Sequence, residues 1–107
     1  MDPNSSQNPI LGNILHDIQF EKDGPARIVL ATIPPVNIAR VCLKKGQIIK
    51  PHMDSHAVFF LVVTGQGIFT GGTNKVTRST NEYVYVKEND ARGIEAIDDL
   101  VVLVIRA

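Results

Sequence analysis

The residues of this sequence that are best suited to chemistry lie together in the stretch KPHMDSHAVFFLVVTG, residues 50–65. His52, Asp54 and His56 fall within five residues, and imidazole and carboxylate groups are common ligands of divalent transition metals. Two histidines four residues apart bind zinc when they share one face of a helix. Pro51 and the β-branched and aromatic residues that follow disfavour a helix here. Two hypotheses stay open: a metal site made by His52, His56 and Asp54, or hydrogen-bonded polar residues at a turn between strands.

Other kinds of catalytic chemistry find little support in the sequence. No serine lies in a nucleophile-elbow pattern, and no phosphate-binding glycine loop is present. The lone Cys42 lies in an apolar run, VCL, which is typical of a buried small hydrophobe. Glu82, Glu88 and Glu95 fall on or beside polar turns, so we expect them to be solvated. The sequence therefore names no catalytic residue.

Size and charge limit the class of protein. With 107 residues the chain should form one domain around one core. Eleven basic and eleven acidic side chains are scattered along it, so nucleic acid is not an expected partner. The longest apolar run is far shorter than the roughly 20 residues of a membrane helix, and the polar start does not resemble a signal peptide. We expect a cytoplasmic protein with no membrane partner.

The elements that must position these residues are strands. From Arg27 onward, short apolar and β-branched runs alternate with turn signals, which is the pattern of an all-β sandwich or barrel. About nine strands and almost no helix are predicted, with a hairpin turning at Gly71 and Gly72. Residues 1–13 are polar and aperiodic and are predicted to be a flexible N-terminal segment. Residues 14–107 are predicted to form one β-barrel domain, because closing the sheet hides its edges.

The spacing from Gly46 to Gly65 resembles the first motif of small single-domain cupins. That motif runs Gly, five residues, His, one residue, His, three or four residues, Glu, six residues, Gly. Gly46, His52 and Gly65 match, whereas Asp54 takes the place of the second His and Val58 that of the Glu. The resemblance extends from about Arg27 to Ala107 and implies an all-β, cupin-like double-stranded β-helix, a jelly-roll barrel.

The second cupin motif is matched in length but not in residue types. The family's Gly, Pro, Gly, His and Asn become Asn81, Lys87, Asn89, Arg92 and Ala96. Asn is the non-glycine residue that best tolerates left-handed backbone angles, so the turns at the two Asn positions can be kept. The resemblance therefore implies a cupin barrel with degenerate metal-binding motifs.

The substitutions bear on what the barrel could hold. The resemblance implies a metal bound by three His and one Glu, but only His52 is retained, Val58 cannot ligate, and a guanidinium has no lone pair to offer at Arg92. Arg92 could instead hold a carboxylate or similar anion beside His52. Alternatively, an ion pair between Arg92 and Asp54 fills the place of the metal and binds nothing.

The motif also predicts which side chains face the barrel. Val58, Phe60 and Val62 are expected to point inward, and the alternate residues Phe59, Leu61 and Val63 outward. The inward set, with His52 and Arg92, predicts a ligand site for a small, partly apolar molecule with an anionic end. The outward set must be covered by a second layer, the N-terminal segment or another subunit, and the resemblance implies a homodimer. Tyr83 and Tyr85 are expected in the core, with a hydroxyl reaching an edge.

Three functional hypotheses follow. The favoured one is a non-enzymatic or catalytically degenerate small cupin that binds a small molecule, with anions among the candidates, or a metal in its barrel. The alternative is a metal-dependent cupin enzyme, an isomerase or dioxygenase, that uses a divalent transition metal on a rearranged His52, His56 and Asp54 site. A further alternative is a structural dimerisation module.

Overall fold

The computed structural model describes residues 9–107, and in that range it contains nine strands and no helix. The strands are β1 Ala26–Ile33, β2 Val36–Leu43, β3 Ile48–Met53, β4 Val58–Thr64, β5 Gln66–Gly71, β6 Asn74–Ser79, β7 Tyr83–Val86, β8 Ala91–Ala96 and β9 Leu100–Arg106. The prediction of about nine strands and almost no helix is confirmed. The predicted flexible segment, residues 1–13, falls mostly on residues 1–8, which lie outside the described residues.

The strands form two antiparallel sheets. The order is β1-β2-β9-β4-β7 in the five-stranded sheet and β3-β8-β5-β6 in the four-stranded sheet. Their facing sides bury one apolar cluster: Val41, Leu43, Val58, Phe60, Val62, Phe69, Val86, Ile94, Ala96, Leu100 and Val102. This is the predicted double-stranded β-helix. Among residues 9–107 there is no helix with the length and hydropathy needed to span a bilayer.

Strand β4 shows how alternation separates the two sides of the five-stranded sheet. Val58, Phe60 and Val62 are buried between the sheets, whereas the residues between them are only half-buried. Because successive side chains of a strand point to opposite faces, Phe59, Leu61 and Val63 lie on the outer face. The predicted inward and outward sets are confirmed.

Two turns are kept where glycine positions of the second motif hold asparagine. Asn81 and Asn89 adopt positive φ values of 72° and 67°. This left-handed conformation is the one that Asn tolerates better than other side chains, as predicted. At Gly65, by contrast, φ is 98° and an added Cβ would collide with the backbone oxygen of Asp99, so this position needs glycine.

The hairpin between β5 and β6 turns one residue later than predicted. Gly71 ends β5 and Asn74 begins β6, so Gly72 and Thr73 form the turn. Only Gly72 of the two glycines has a positive φ, at 62°. Gly71 stays in the strand, where it pairs with Asn74.

The prediction of core positions for the two tyrosines is wrong. Tyr83 and Tyr85 are 60% and 59% exposed. Strand β7 is an edge strand that directs Val84 and Val86 inward, so its tyrosines lie on the outer face. Tyr83 stacks there on Phe59, with ring centroids 5.0 Å apart.

The outer face of the five-stranded sheet is partly covered by the segment that precedes β1. Arg40 of β2 is only 6% exposed, and its Nη1 donates to the carbonyl oxygens of Ile14 and His16 at 3.1 and 2.6 Å. Its Nη2 donates to the carbonyl of Asp17 at 3.0 Å. Residues 13–21 therefore form a strap, which covers Arg40 and the buried Cys42.

Candidate functional site

A cavity of about 240 Å³ lies between the two sheets. Residues from six strands and from the loop between β3 and β4 line it: Arg27, Val41, Ile49, His52, Asp54, Val58, Phe60, Arg92, Gly93, Ile94, Val104 and Arg106. Six of these are apolar and three are arginines. The cavity thus combines a hydrophobic wall with a concentration of guanidinium groups.

The apolar wall is built by strand alternation. Val58 and Phe60 line the cavity, where the sequence placed them. Phe60 pairs with Val104 across β4 and β9, and Ile49 pairs with Ile94 across β3 and β8, so each sheet contributes facing apolar side chains. Val62, the third predicted contact, lies within the core cluster and is not among the lining residues.

Arg92 is buried, and backbone carbonyls hold its guanidinium in place. The Nε donates to Asp90 O at 3.0 Å, and Nη2 donates to Lys87 O at 3.2 Å and to Asp54 O at 3.4 Å. These carbonyls are neutral, and within the described chain no carboxylate forms an ion pair with Arg92. Within the described chain, no carboxylate therefore neutralises the charge of this guanidinium at the cavity, and the three carbonyls fix its orientation.

Asp54 has other partners than the sequence suggested. Its Oδ1 accepts from the backbone N of His56 at 3.0 Å and contacts His56 Nδ1 at 2.8 Å. Its Oδ2 lies 3.6 Å from Arg106 Nη1. The predicted Arg92–Asp54 ion pair is wrong, because the carbonyl of Asp54 and not its carboxylate meets Arg92.

These contacts also set the charge of Asp54. The hydrogen bonds from the His56 side chain and backbone lower the pKa of the Asp54 carboxyl from 3.8 to about 2, and the charges of His56 and Arg106 act in the same direction. Asp54 is thus ionised at any pH near neutrality, and its carboxylate is shared between His56 and Arg106.

His52 lines the cavity next to Arg92, since the two residues are paired across β3 and β8. Its Nδ1 lies 3.1 Å from the carbonyl oxygen of Lys50. A carbonyl can only accept, so Nδ1 carries the proton of this bond and Nε2 is the remaining ring nitrogen.

With the strands and the cavity described, the chain can be compared with solved structures. It is similar to an RmlC-like cupin protein from Desulfovibrio desulfuricans, with a TM-score of 0.84 and 20% identity over 94% of this chain and 97% of that one. It is also similar to KdgF from Halomonas sp., with a TM-score of 0.80 and 22% identity over 92% of each chain. The chain has the cupin fold.

Other matches agree, and at these identities the likeness concerns the cupin fold alone. A double-stranded β-helix protein from Klebsiella pneumoniae matches with a TM-score of 0.83 and 12% identity over 94% of this chain and 90% of that one. No sequence-family model matches this chain, and no curated protein matches it significantly.

The side chains present in this cupin barrel do not fit a metal. Within residues 9–107 no three His, Cys, Asp or Glu side chains come together as a set that could hold an ion. His56 does not line the cavity and instead contacts Asp54. The Asp54 oxygens face His56 and Arg106, and Arg92 and Val58 supply no lone pair. The site of His52, His56 and Asp54 is therefore not assembled here, and metal binding stays an untested prediction.

Two arginines of the cupin cavity were missed in the sequence. Arg106 pairs with Val58 across β4 and β9, so it faces inward with the alternate residues of β9 that precede it. The run LVVLVIR is apolar at its first six positions, so the sequence does not show which way Arg106 faces. Arg27 pairs with Val41 across β1 and β2, and its position depends on a strand pairing that alternation within one strand does not reveal.

Proposed function

We propose that this cupin domain binds a small carboxylate in its barrel cavity and is a non-enzymatic or catalytically degenerate form of the fold. The observation that supports the proposal most strongly is the charge of the lining, with three arginines against one aspartate. A cation would be repelled by this set, whereas a carboxylate finds charged donors that it can bind in pairs.

The position of Arg92 adds to this argument. Burial of a charge that only carbonyls compensate is unfavourable unless a counter-ion is available. Arg92 faces a cavity, and among the described residues its Nη1 has no hydrogen-bond partner. A ligand carboxylate in the cavity would supply the missing counter-charge and pair with a donor that is already oriented.

The rest of the lining favours a ligand with an apolar part. Val41, Ile49, Val58, Phe60, Ile94 and Val104 surround the remainder of the cavity. Its volume of about 240 Å³ corresponds to roughly eight water molecules at about 30 Å³ each, so the ligand is small. Hexanoate, an unbranched carboxylate of eight heavy atoms, is a suitable probe.

Asp54 allows the proposal to be tested, because the anion and metal hypotheses predict opposite changes in ligand affinity for Asp54→Asn. If the cavity binds an anion, the Asp54 carboxylate competes with the ligand for Arg106, and Asp54→Asn should bind hexanoate several-fold more tightly. Arg106→Met should bind it several-fold more weakly, because a charged donor is lost. Isothermal titration calorimetry measures both affinities. Asp98→Asn, an exposed site outside the cavity, is the matched control and should change nothing.

The opposite result would support the metal hypothesis. If Asp54 serves as a ligand to a divalent metal, Asp54→Asn should weaken any binding that depends on the metal. Elemental analysis of untagged protein is the companion measurement. One metal ion per chain that is lost in His52→Ala would overturn the carboxylate proposal.

A homodimer through the outer face of the five-stranded sheet is a second, separate proposal. Phe59, Leu61 and Val63 are half-buried there, and the stacked Tyr83 and the neighbouring Tyr85 are exposed. Phe59→Glu places a charge in this apolar face and should give monomers or insoluble protein. Light scattering after size-exclusion chromatography measures the mass, and an unaffected dimer would rule out this interface.

A further inference from the structure

We infer that the carboxylate bound in the cavity carries a hydroxyl group on the carbon next to the carboxyl, as in a 2-hydroxy acid. The inference rests on the proposed function and adds the chemical class of the ligand. It comes from one feature of the polar lining: a hydrogen-bond acceptor stands beside the guanidinium donors.

The guanidinium groups of Arg27, Arg92 and Arg106 can only donate hydrogen bonds. Any N–H of these groups that has no partner calls for an acceptor on the ligand, and a carboxylate supplies two oxygens for this purpose. The Asp54 carboxylate is already in contact with His56 and Arg106. The remaining polar side chain of the lining is His52.

His52 differs from the arginines because its tautomer is fixed. Nδ1 donates to the carbonyl of Lys50 at 3.1 Å, so in the neutral ring Nε2 has a lone pair and no proton. Among the described residues no donor bonds to Nε2. A ligand group that meets Nε2 must therefore be a donor, and a carboxylate alone does not provide one.

The distance between the carboxylate and the hydroxyl group on the ligand follows from strand pairing. His52 and Arg92 are Cα partners on the adjacent strands β3 and β8, and both line the cavity. The Cβ atoms of such partners lie only about 4.5–5.5 Å apart, so the two side chains address neighbouring atoms of a ligand. In a ligand with a hydroxyl on the carbon next to the carboxylate, the hydroxyl can donate to His52 while the adjacent carboxylate accepts from Arg92.

The test compares hexanoate with the two enantiomers of 2-hydroxyhexanoate by calorimetry at pH 8. One enantiomer should bind about tenfold more tightly than hexanoate, the gain expected for one additional hydrogen bond. 6-Hydroxyhexanoate places its hydroxyl against the apolar wall and should bind more weakly than hexanoate.

Two variants of the exposed His52 identify the acceptor. In His52→Asn the amide can still donate to Lys50 O, but no atom remains at the place of Nε2, so the preference for the hydroxy acid should disappear. In His52→Gln an amide oxygen can reach that place, and part of the preference should return.

The outcomes separate this inference from the proposed function. If hexanoate binds as tightly as both enantiomers, or if the preference persists in His52→Asn, the hydroxyl inference is overturned while carboxylate binding stands. If neither hexanoate nor 2-hydroxyhexanoate binds, the proposed function itself fails, and this inference fails with it.

Discussion

Two arginines are buried among residues 9–107, Arg40 on the outer face of the five-stranded sheet and Arg92 between the sheets, and they illustrate two uses of the same group. Arg40 and Arg92 are 6% and 4% exposed. Each donates three hydrogen bonds to backbone carbonyls, and within residues 9–107 neither forms an ion pair with a carboxylate. By burial and local bonding alone the two residues look alike.

The difference lies in which parts of the chain each guanidinium joins and in whether it also faces the cavity. Arg40 uses both Nη nitrogens to hold the strap of residues 13–21 on the outer face, so its bonds close one part of the chain onto another. Arg92 uses Nε and Nη2 to tie the loop before β8 to the loop after β3, and it also lines the cavity. A buried arginine bound by carbonyls thus holds two parts of the chain together in one case, and in the other it also lines the proposed ligand site.

The largest expected effect is on the free energy of unfolding, and it comes from Arg40, which holds the strap on the outer face. Arg40→Met leaves the carbonyls of Ile14, His16 and Asp17 without their donor and should lower the free energy of unfolding by about 2 kcal/mol. Urea unfolding measures the change, and the exposed Lys75→Met should shift it by less than about 0.5 kcal/mol. Hexanoate binding should be unchanged in Arg40→Met. An Arg40→Met protein as stable as wild type would show that Arg40 does not clamp the strap.

The second effect is on affinity, at the cavity. Arg92→Met should weaken hexanoate binding about tenfold or more, because an oriented charged donor contributes at least about 1.5 kcal/mol. Calorimetry at low salt measures it. Arg92→Lys keeps the charge but carries all its donors on one nitrogen in place of the planar guanidinium, so it should recover only part of the affinity. If Arg92→Met binds hexanoate like wild type while Arg40→Met does not, the roles assigned to the two arginines are reversed.

The smallest effect is on stability at acid pH, and it comes from Asp54 in the lining of the cavity. Because folding lowers the pKa of Asp54 from 3.8 to about 2, ionised Asp54 stabilises the fold above about pH 4, and this contribution is lost as the pH falls towards 2. Asp54→Asn removes that titration. Its urea midpoint should fall less steeply than that of wild type between these pH values, and equal slopes would contradict the assignment.

The sequence predicts the fold well because alternation is a local property. The inward positions of Val58 and Phe60 follow from period two, and the turns at Asn81 and Asn89 follow from the backbone angles that Asn tolerates. The core position expected for the tyrosines of β7 is wrong because both faces of that strand are hydrophobic in sequence, and only the sheet order makes it an edge.

The candidate site is less predictable because its polar contacts join distant parts of the chain. Arg92 and His52 were identified from motif spacing, but the Asp54 contact with Arg106 joins residues that are far apart in sequence. The carbonyl partners of Arg92 depend on the loop geometry before β8 and after β3, which no residue pattern encodes. Sequence reasoning therefore indicated residues that line the cavity, but not the charge balance of its lining.

The most direct test of the central claim compares hexanoate with hexanamide, its uncharged analogue of the same size, on the wild-type protein. Calorimetry at low salt should show one hexanoate per chain, at least tenfold weaker binding of hexanamide, and a loss of hexanoate affinity as salt screens the arginines. Equal binding of the two probes would show that the apolar wall alone holds the ligand, and no binding of hexanoate would contradict the carboxylate site.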